Sequence, residues 1–139
     1  MAKVQKLFRA PRKHLSMEEL TEVRAFADSG FEGCAHARPG RKRQVLLVDR
    51  ETLEAMALRP GMIRENITTD GLNVNVLQIG SLLRVGDARF EVSAVCTPCD
   101  QMEAIRPGLG KELWGRRGML CRVREGGVIR RGDSIEKLS

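Results

Sequence analysis

The chain has 139 residues, of which 42% are hydrophobic and 30% charged, and its 24 lysines and arginines outnumber 18 acidic residues to give a formal net charge of +6. A chain of this length can bury a core without disulfides or a metal ion, and the composition excludes a disordered, collagen-like or coiled-coil chain. Its longest apolar runs, such as residues 45–48, are far shorter than the roughly 18 residues that span a bilayer. We expect one domain, residues 1–139, with no membrane contact.

The distribution of charge and cysteine bears on location and partners. Residues 1–14 are basic but lack the apolar stretch of a secretory signal, which predicts a cytoplasmic chain with reduced cysteines. Lysines and arginines cluster in residues 1–14, 36–43 and 106–131, a pattern that favours a phosphate-bearing cofactor, an acidic protein or nucleic acid as partner. With four Phe, one Trp and no Tyr, few side chains can stack on bases, so nucleic acid is the least favoured of these.

The first half of the chain gives three local predictions. Residues 16–26 begin like a helix capping box and continue with strand-forming residues, so we expect a helix-like start followed by a strand. Residues 43–48 predict a buried strand. Asp49 is a suitable N-cap for a helix that we expect to run through Leu58 and to end at residues 59–61.

The second half is divided by glycines into short segments, several of which alternate between apolar and polar residues. A turn at residues 125–127 predicts that residues 128–130 return antiparallel to the preceding strand, and residues 131–133 turn the chain again. These features predict a mainly β fold, a mostly antiparallel β-barrel with a few short peripheral helices. The predicted core faces are Ala88, Phe90, Val92, Ala94 and Cys96 in one strand, and Met119, Cys121 and Val123 in another.

Two cysteines stand in the motif Cys96-Thr97-Pro98-Cys99, a spacing used by metal ligands and redox pairs. Cys96 continues the apolar face of its strand, whereas Pro98 ends regular pairing and places Cys99 in a loop before a short helix over residues 100–105. We therefore expect Cys99 to be accessible. A thiol near a helix N-terminus and basic residues favours the thiolate, which is the nucleophile and the soft metal ligand.

Other cysteines and arginines leave alternatives open. Cys121 lies on a predicted core face and is expected to be structural. The arginines of residues 116–131 form either a solvated strand face or, if they converge, a site for phosphate or carboxylate. Cys34, His36, Cys96 and Cys99 could form a Cys3His zinc site, although Cys-x-His is tighter than usual zinc spacing and makes zinc unlikely. No P-loop, dinucleotide fingerprint, Gly-x-Ser-x-Gly or His-Glu-x-x-His motif is present.

A series of short motifs follows in fixed order along the chain. They are residues 30–33 with His36, Arg43-Gln44-Val45, residues 64–68, residues 82–87, Cys96 to Cys99, Pro107-Gly108-Leu109, Arg116-Arg117-Gly118 and residues 126–133. Together they resemble a stand-alone MOSC domain, the module named after the C-terminal domain of molybdenum cofactor sulfurases. The resemblance implies a mostly antiparallel β-barrel and a role in molybdenum cofactor chemistry.

The resemblance also implies roles for particular residues. Cys99 matches the cysteine that carries sulfur as a persulfide or binds molybdenum, and relatives such as the mitochondrial amidoxime-reducing component hold the molybdopterin cofactor and reduce N-hydroxylated compounds. His36, Arg43 and Asn66 match motif positions that line the cofactor cleft, and Arg117 is a weaker match. Where many members have Gly-Asp before the histidine, this chain has Gly33-Cys34, which argues against a full reductase.

We expect the chain to be a single MOSC-like domain without the N-terminal barrel domain of the reductases or the pyridoxal-phosphate desulfurase domain of the sulfurases. The resemblance then implies a partner, a cysteine desulfurase or a molybdoenzyme. It leaves open a molybdenum-dependent oxidoreductase component and a sulfur transferase. The alternative function from a different class is a non-catalytic basic β-barrel module that binds an acidic protein or nucleic acid.

Overall fold

The computed structural model describes residues 2–12 and 16–138. Of the helices within these ranges, none is long and apolar enough to cross a membrane. The strands are β1 (Lys3–Arg9), β2 (Glu18–Leu20), β3 (Glu22–Phe26), β4 (Gly30–Phe31), β5 (Val45–Asp49), β6 (Ile67–Asp70), β7 (Leu82–Val85), β8 (Ala88–Val95), β9 (Met119–Glu125), β10 (Gly127–Arg130) and β11 (Ile135–Lys137). The helices are α1 (Arg50–Ala55), α2 (Gln101–Ile105) and α3 (Leu109–Glu112), and a 3₁₀ turn lies at Val74–Val76.

The described strands form two sheets. One sheet has eight strands in the order β11-β7-β8-β9-β5-β6-β1-β2, and the other has three in the order β10-β3-β4. Strands β5 and β6 are parallel, whereas the other pairs are antiparallel. A mainly β, mostly antiparallel fold with short helices is thus confirmed. The predicted barrel is not: an isolated bridge between Lys3 and Ser134 links β1 to the segment before β11, but the described sheets stay open.

Strand β5 separates two hydrophobic cores. Val45 and Leu47 point into a core to which both sheets contribute, while Leu46 and Val48 point into a second core beneath the three helices. Successive side chains of a strand point to opposite faces, so five consecutive buried residues require cover on both sides. The buried strand expected over residues 43–48 is confirmed, beginning at Val45, and its first residues lie where the two cores meet.

Helix α1 begins as predicted but ends early. The Asp49 carboxylate accepts the backbone N–H of Thr52 at 3.0 Å, which confirms the N-cap. The helix ends at Ala55 instead of Leu58 because Ala57 adopts a left-handed conformation (φ 56°). The N–H of Leu58 then donates to the carbonyl of Leu53, the hydrogen bond of a Schellman termination. The reversed chain places Leu58 in the core beneath the helices.

The helix-like start predicted for residues 16–26 is wrong, whereas the strand that follows it is confirmed as β3. Residues 18–20 form β2, which pairs antiparallel with β1. The acidic residues that resembled a helix cap form cross-strand ion pairs instead: Glu18 with Arg9 at 3.2 Å and Glu19 with Lys6 at 3.1 Å. Opposite charges on facing strands stabilise the ladder, and this pairing is invisible to a local pattern.

Strand β8 departs from its predicted alternation after Val92. The register with β9 shifts between Val92 and Ala94, which leaves Ser93 as an additional residue in β8. The Ser93 hydroxyl donates to the carbonyl of Leu120. Because a bulge exchanges the two faces of a strand, Ala94 and Cys96 pack in the helix core and not in the core between the sheets. The core face predicted for β9 is confirmed by its three buried residues.

The partner predicted for residues 128–130 is wrong. Strand β10 pairs antiparallel with β3, with Val128 opposite Arg24, and not with β9. The chain crosses between sheets at Gly126 and Gly127, where it passes so close to the backbones of Ala25 and Asp87 that side chains would collide with them. The predicted turn at residues 131–133 is confirmed by its backbone hydrogen bond from Asp133 to the carbonyl of Arg130 at 3.0 Å.

The turn before β9 depends on Gly118. Its φ is 106°, in the range that favours glycine, and a Cβ there would overlap the carbonyl oxygen of Leu47 in β5. The Gly118 N–H donates to Asn75 Oδ1 at 3.2 Å, and its carbonyl accepts the N–H of Cys96 at 3.0 Å. Gly118 thus fixes the backbone next to Arg117.

We predict that Gly118→Ala lowers the free energy of unfolding by about 3 kcal/mol, from left-handed strain plus collision with β5. Gly80→Ala is the matched control, since Gly80 has a φ of 96° but nothing within 4 Å of an added Cβ. It should cost only about 1 kcal/mol. Urea unfolding of the three proteins measures both values, and equal losses would contradict the account of close packing at Gly118.

Candidate functional site

A cavity of about 300 Å³ opens beside the first residues of β5. We call it the arginine cavity because four arginines and no acidic residue line it. All five residues singled out by the family resemblance lie on its wall, although their roles toward a ligand stay predictions. The lining residues are His36, Arg38, Arg43, Gln44, Val45, Leu46, Arg64, Asn66, Cys99, Gln101, Arg117 and Leu120.

Arg117 is the most unusual of these residues. Its side chain is buried, with 5% exposed, and its Nε and Nη1 atoms have no hydrogen-bond partner among the described residues. Buried polar atoms without hydrogen-bond partners are costly, above all in a charged group, so native proteins rarely keep them without a reason. An anion in the arginine cavity would supply the missing acceptors.

Glu65 lies near Arg117 but does not satisfy it. Its Oε2 accepts hydrogen bonds from the N–H of Gly61 at 2.9 Å and the hydroxyl of Thr68 at 2.8 Å, while its Oε1 has no partner among the described residues. Burial raises the pKa of Glu65, and the positive charge of Arg117 opposes this shift. The electrostatic attraction is real, but the hydrogen-bonding capacity of Arg117 remains available.

Arg38, Arg43 and Arg64 complete the basic lining. Burial lowers the pKa of Arg64, the Cys34 thiol opposes that change, Arg117 adds to it and Cys99 opposes it. Arg64 also has a left-handed backbone (φ 66°), a strained conformation that collects at functional sites. Guanidinium groups bind phosphate and carboxylate through paired hydrogen bonds, so the cavity is suited to an anion.

Cys34 supports the wall without lining the cavity. Its buried sulfur accepts hydrogen bonds from Ala10 N at 3.3 Å, His36 N at 3.4 Å and Asn66 Nδ2 at 3.4 Å. Many family members have aspartate at this position according to the resemblance described above, and the sulfur takes the acceptor role that a carboxylate could play. A cysteine at position 34 therefore acts on the residues that form the cavity wall and does not itself line the cavity.

Asn66 links three parts of the chain. Its Oδ1 accepts the N–H of Leu46 at 3.0 Å, and its Nδ2 donates to the carbonyl of Phe8 at 3.3 Å as well as to the Cys34 sulfur. The Asn66 side chain also opposes the lowering of the His36 pKa by burial. Much of its hydrogen-bonding capacity is used within the protein, so Asn66 fixes the position of the wall.

The four cysteines occupy different environments: the predicted exposure of Cys99 is confirmed, whereas Cys96 is buried in the helix core and not on the core face predicted for it. Cys96 is buried and Cys99 is exposed in the loop before α2. Cys121 is fully buried, and burial raises the pKa of its thiol, so it stays protonated at neutral pH.

The structure does not assemble the zinc site considered above. Cys34 packs in the core between the sheets, whereas Cys96 packs beneath the helices. Within residues 2–12 and 16–138, no three His, Cys, Asp or Glu side chains form a group that could hold a metal ion.

Arg38, Arg64 and Gln101 are among the cavity residues that the sequence did not identify as site residues. Arg38 belongs to the basic run after His36, and Arg64 precedes Asn66 in one of the motifs, so each carried a weak signal. Gln101 carried none. Their convergence depends on contacts between distant segments, which local spacing does not encode.

The fold and the cavity define a small, mainly β domain that presents one exposed thiol beside a cluster of arginines. The MOSC domain family model matches residues 35–136, and the chain belongs to this family. A comparison with curated protein sequences gives no match.

Solved structures share the fold at low sequence identity. The YuaD protein from Bacillus subtilis has 20% identity and a TM-score of 0.80, with 98% of this chain and 94% of that chain covered. YiiM from Geobacillus stearothermophilus has 19% identity and a TM-score of 0.79, with 100% and 76% covered. YiiM from Escherichia coli has 20% identity and a TM-score of 0.72, with 97% and 70% covered. These similarities establish the fold alone.

We predict that Arg117→Met changes the free energy of unfolding by no more than about 1 kcal/mol, because the lost attraction to Glu65 is offset when an apolar side chain replaces a buried cation with two unpartnered nitrogen atoms. The same variant should lose binding of inorganic phosphate, measured by calorimetry. Arg122→Met is the control: it removes an ion pair with Asp28 outside the cavity and should retain phosphate binding. Strong destabilisation by Arg117→Met would show that Arg117 is structural.

His36 predicts a pH dependence of stability. Burial, assisted by the charge of Arg64, lowers the pKa of His36 from 6.5 to about 4. The unfolded chain therefore binds this proton more readily, and the stability contributed by neutral His36 is complete above pH 6.5 and lost as pH falls toward 4. We expect His36→Gln to reduce the loss of stability between pH 7 and pH 4.5 by about 1 kcal/mol, allowing for partial exposure. Parallel stability curves for both proteins would contradict this assignment.

Proposed function

We propose that this chain binds the molybdenum cofactor in the arginine cavity, with the Cys99 thiolate as a ligand to molybdenum. The observation that carries the proposal is the position of Cys99 on the same cavity as Arg117, whose buried Nε and Nη1 atoms have no partner among the described residues. A site for an anion and a soft ligand therefore adjoin each other.

The residues present fit such a group. The cofactor combines a phosphate with a sulfur-rich metal centre, and the two ends call for different chemistry. Guanidinium groups suit phosphate, and thiolate suits a soft metal. The arginine cavity offers both within about 300 Å³. When bound, the cofactor would supply two-electron transfer chemistry beside Cys99.

The chain's own residues would then divide the work. Arg117 and Arg64 would hold the phosphate, and Arg43 would add positive charge at the more exposed side. His36, whose lowered pKa keeps it neutral at physiological pH, would accept or donate one hydrogen bond without adding charge. Cys34 and Asn66 would keep this wall in place through their hydrogen bonds.

A second candidate function is sulfur transfer, favoured by the exposure of Cys99. The Cys99 thiolate would attack the outer sulfur of a persulfide on a donor protein. The donor's S–S bond breaks, the donor cysteine leaves as a thiolate, and a new S–S bond forms on Cys99 with no net oxidation. A cysteine desulfurase is the class of partner that this step requires, and a molybdoenzyme is the class that would receive the sulfur.

The basic binding module is a weaker alternative. The net charge of +6 suggested it, but four arginines of residues 116–131 are paired: Arg122 with Asp28, Arg124 with Glu91, Arg130 with Asp87 and Arg131 with Glu19. Ion pairing within the protein reduces the charge available to an acidic protein or to nucleic acid. The arginines without such pairing in this stretch include Arg117, which faces the cavity.

We predict near-stoichiometric molybdenum on the wild-type protein after incubation with the isolated cofactor and desalting, and a loss of at least about tenfold in Cys99→Ala. Cys121→Ala is the matched control. It should retain molybdenum, because Cys121 is fully buried, and it should lose about 2 kcal/mol of stability, because the substitution truncates a core side chain. Elemental analysis measures molybdenum, and intact mass detects an added sulfur on Cys99.

Equal loss of molybdenum in both variants would contradict Cys99 as the ligand. Absence of molybdenum from every protein, together with an added sulfur on wild-type Cys99 after exposure to a desulfurase and cysteine, would favour the sulfur carrier.

A further inference from the structure

Cys99 also lines a second cavity. This outer cavity has a volume of about 340 Å³ and is lined by Pro98, Cys99, Asp100, Glu103, Gly110, Lys111 and Trp114. It shares Cys99 with the arginine cavity but none of that cavity's arginines. Cys99 is thus a lining residue of two cavities of different composition.

Trp114 forms an aromatic wall of the outer cavity. It is the only tryptophan of the chain, and 70% of its surface is exposed. Leaving so large an aromatic side chain in water forgoes the favourable free energy of burying it. An indole face beside an exposed thiol offers a stacking surface for a planar ring, and indole is the best cation-binding aromatic side chain.

The walls of the outer cavity are held in place by Glu103. Its carboxylate accepts the N–H groups of Gly108 at 3.0 Å and Gly110 at 2.9 Å, which ties α2 to the start of α3. These two hydrogen bonds lower the pKa of Glu103, so it carries a negative charge at neutral pH. A fixed wall reduces the entropy lost when a ligand binds.

The two cavities differ in the sign of the charge on their lining residues. Two carboxylates, Asp100 and Glu103, and one ammonium group, Lys111, line the outer cavity, against four arginines in the other. An anion is therefore drawn to the arginine cavity, while a neutral or positively charged molecule is better suited to the outer one.

We propose that the outer cavity binds a planar aromatic molecule, neutral or cationic, which stacks on Trp114 and lies against the Cys99 sulfur. Its role as the site of the second reactant rests on the proposed function, since the arginine cavity would hold the anionic cofactor on the other side of Cys99. The binding itself does not depend on the cofactor and is tested without it.

The test uses benzamidine and benzoate, two planar probes of similar size and opposite charge. Benzamidine should quench or shift the emission of Trp114 in a saturable way and slow alkylation of Cys99 by iodoacetamide, followed by peptide mass mapping. Benzoate at the same concentrations should do neither. Equal effects of the two probes, or no protection of Cys99 by benzamidine, would overturn the proposal.

Variants locate the probe. Trp114→Ala should raise the benzamidine concentration that half-protects Cys99 by about fivefold, and Asp100→Asn by about twofold, since they remove the aromatic face and a charge. Phe26→Ala is the matched control, because Phe26 is an exposed aromatic residue (45%) on β3 and does not line the outer cavity. Unchanged protection in Trp114→Ala would place benzamidine elsewhere and overturn the proposal.

Inorganic phosphate separates this proposal from the proposed function. Phosphate should bind wild-type protein and Trp114→Ala equally, and it should leave half-protection by benzamidine unchanged. If phosphate binding fails while benzamidine still protects Cys99, the proposed anion site is wrong and the outer cavity stands. Competition between the two would show a single shared site and overturn the outer cavity.

Discussion

Burying the Arg117 side chain removes a charge from water, and two of its nitrogen atoms find no partner among the described residues. The rest of the fold must offset that cost. It does so with two hydrophobic cores that meet at β5, one between the sheets and one beneath the helices. Gly118, the residue after Arg117, allows the chain to pass close to β5. The site therefore contains buried nitrogen atoms without hydrogen-bond partners, and the two well-packed cores around it offset their cost.

The same arrangement explains why Cys99 is the cysteine suited to chemistry. Cys34, Cys96 and Cys121 are buried, and Cys34 serves as a hydrogen-bond acceptor for its neighbours. Cys99 lies outside regular structure after Pro98, between a cavity lined by arginines and one lined by Trp114 and carboxylates. A cysteine that lines two cavities of unlike charge is suited to meet two reactants, one anionic and the other neutral or cationic.

Local patterns predicted the features that depend on neighbouring residues. Asp49 as a helix cap, the exposure of Cys99 and the buried β5 follow from residues a few positions apart. The patterns failed where a distant segment decides the outcome. Strand β10 pairs with β3, and the bulge at Ser93 exchanges the two faces of β8 after Val92. Both features depend on pairing and register with strands distant in the sequence.

At the site too, the sequence predicted some features and missed those that depend on distant segments. The family resemblance selected five residues that the structure places on one cavity, whereas composition and spacing alone left their arrangement open. Arg64 and Gln101 were missed because their position depends on how residues near 36, 64, 100 and 117 come together. The unpartnered nitrogen atoms of Arg117 are a property of packing, and no feature of the sequence reports them.

The most direct test of the central claim, that Arg117 and Cys99 act on one ligand, is a double-mutant cycle. Dissociation constants for the isolated molybdenum cofactor would be measured for the wild type, Arg117→Met, Cys99→Ala and the double variant. We predict that the two losses of binding free energy fail to add by more than about 0.5 kcal/mol, as expected for residues that share a rigid ligand. Strict additivity, or a wild-type protein that binds no cofactor, would contradict the account.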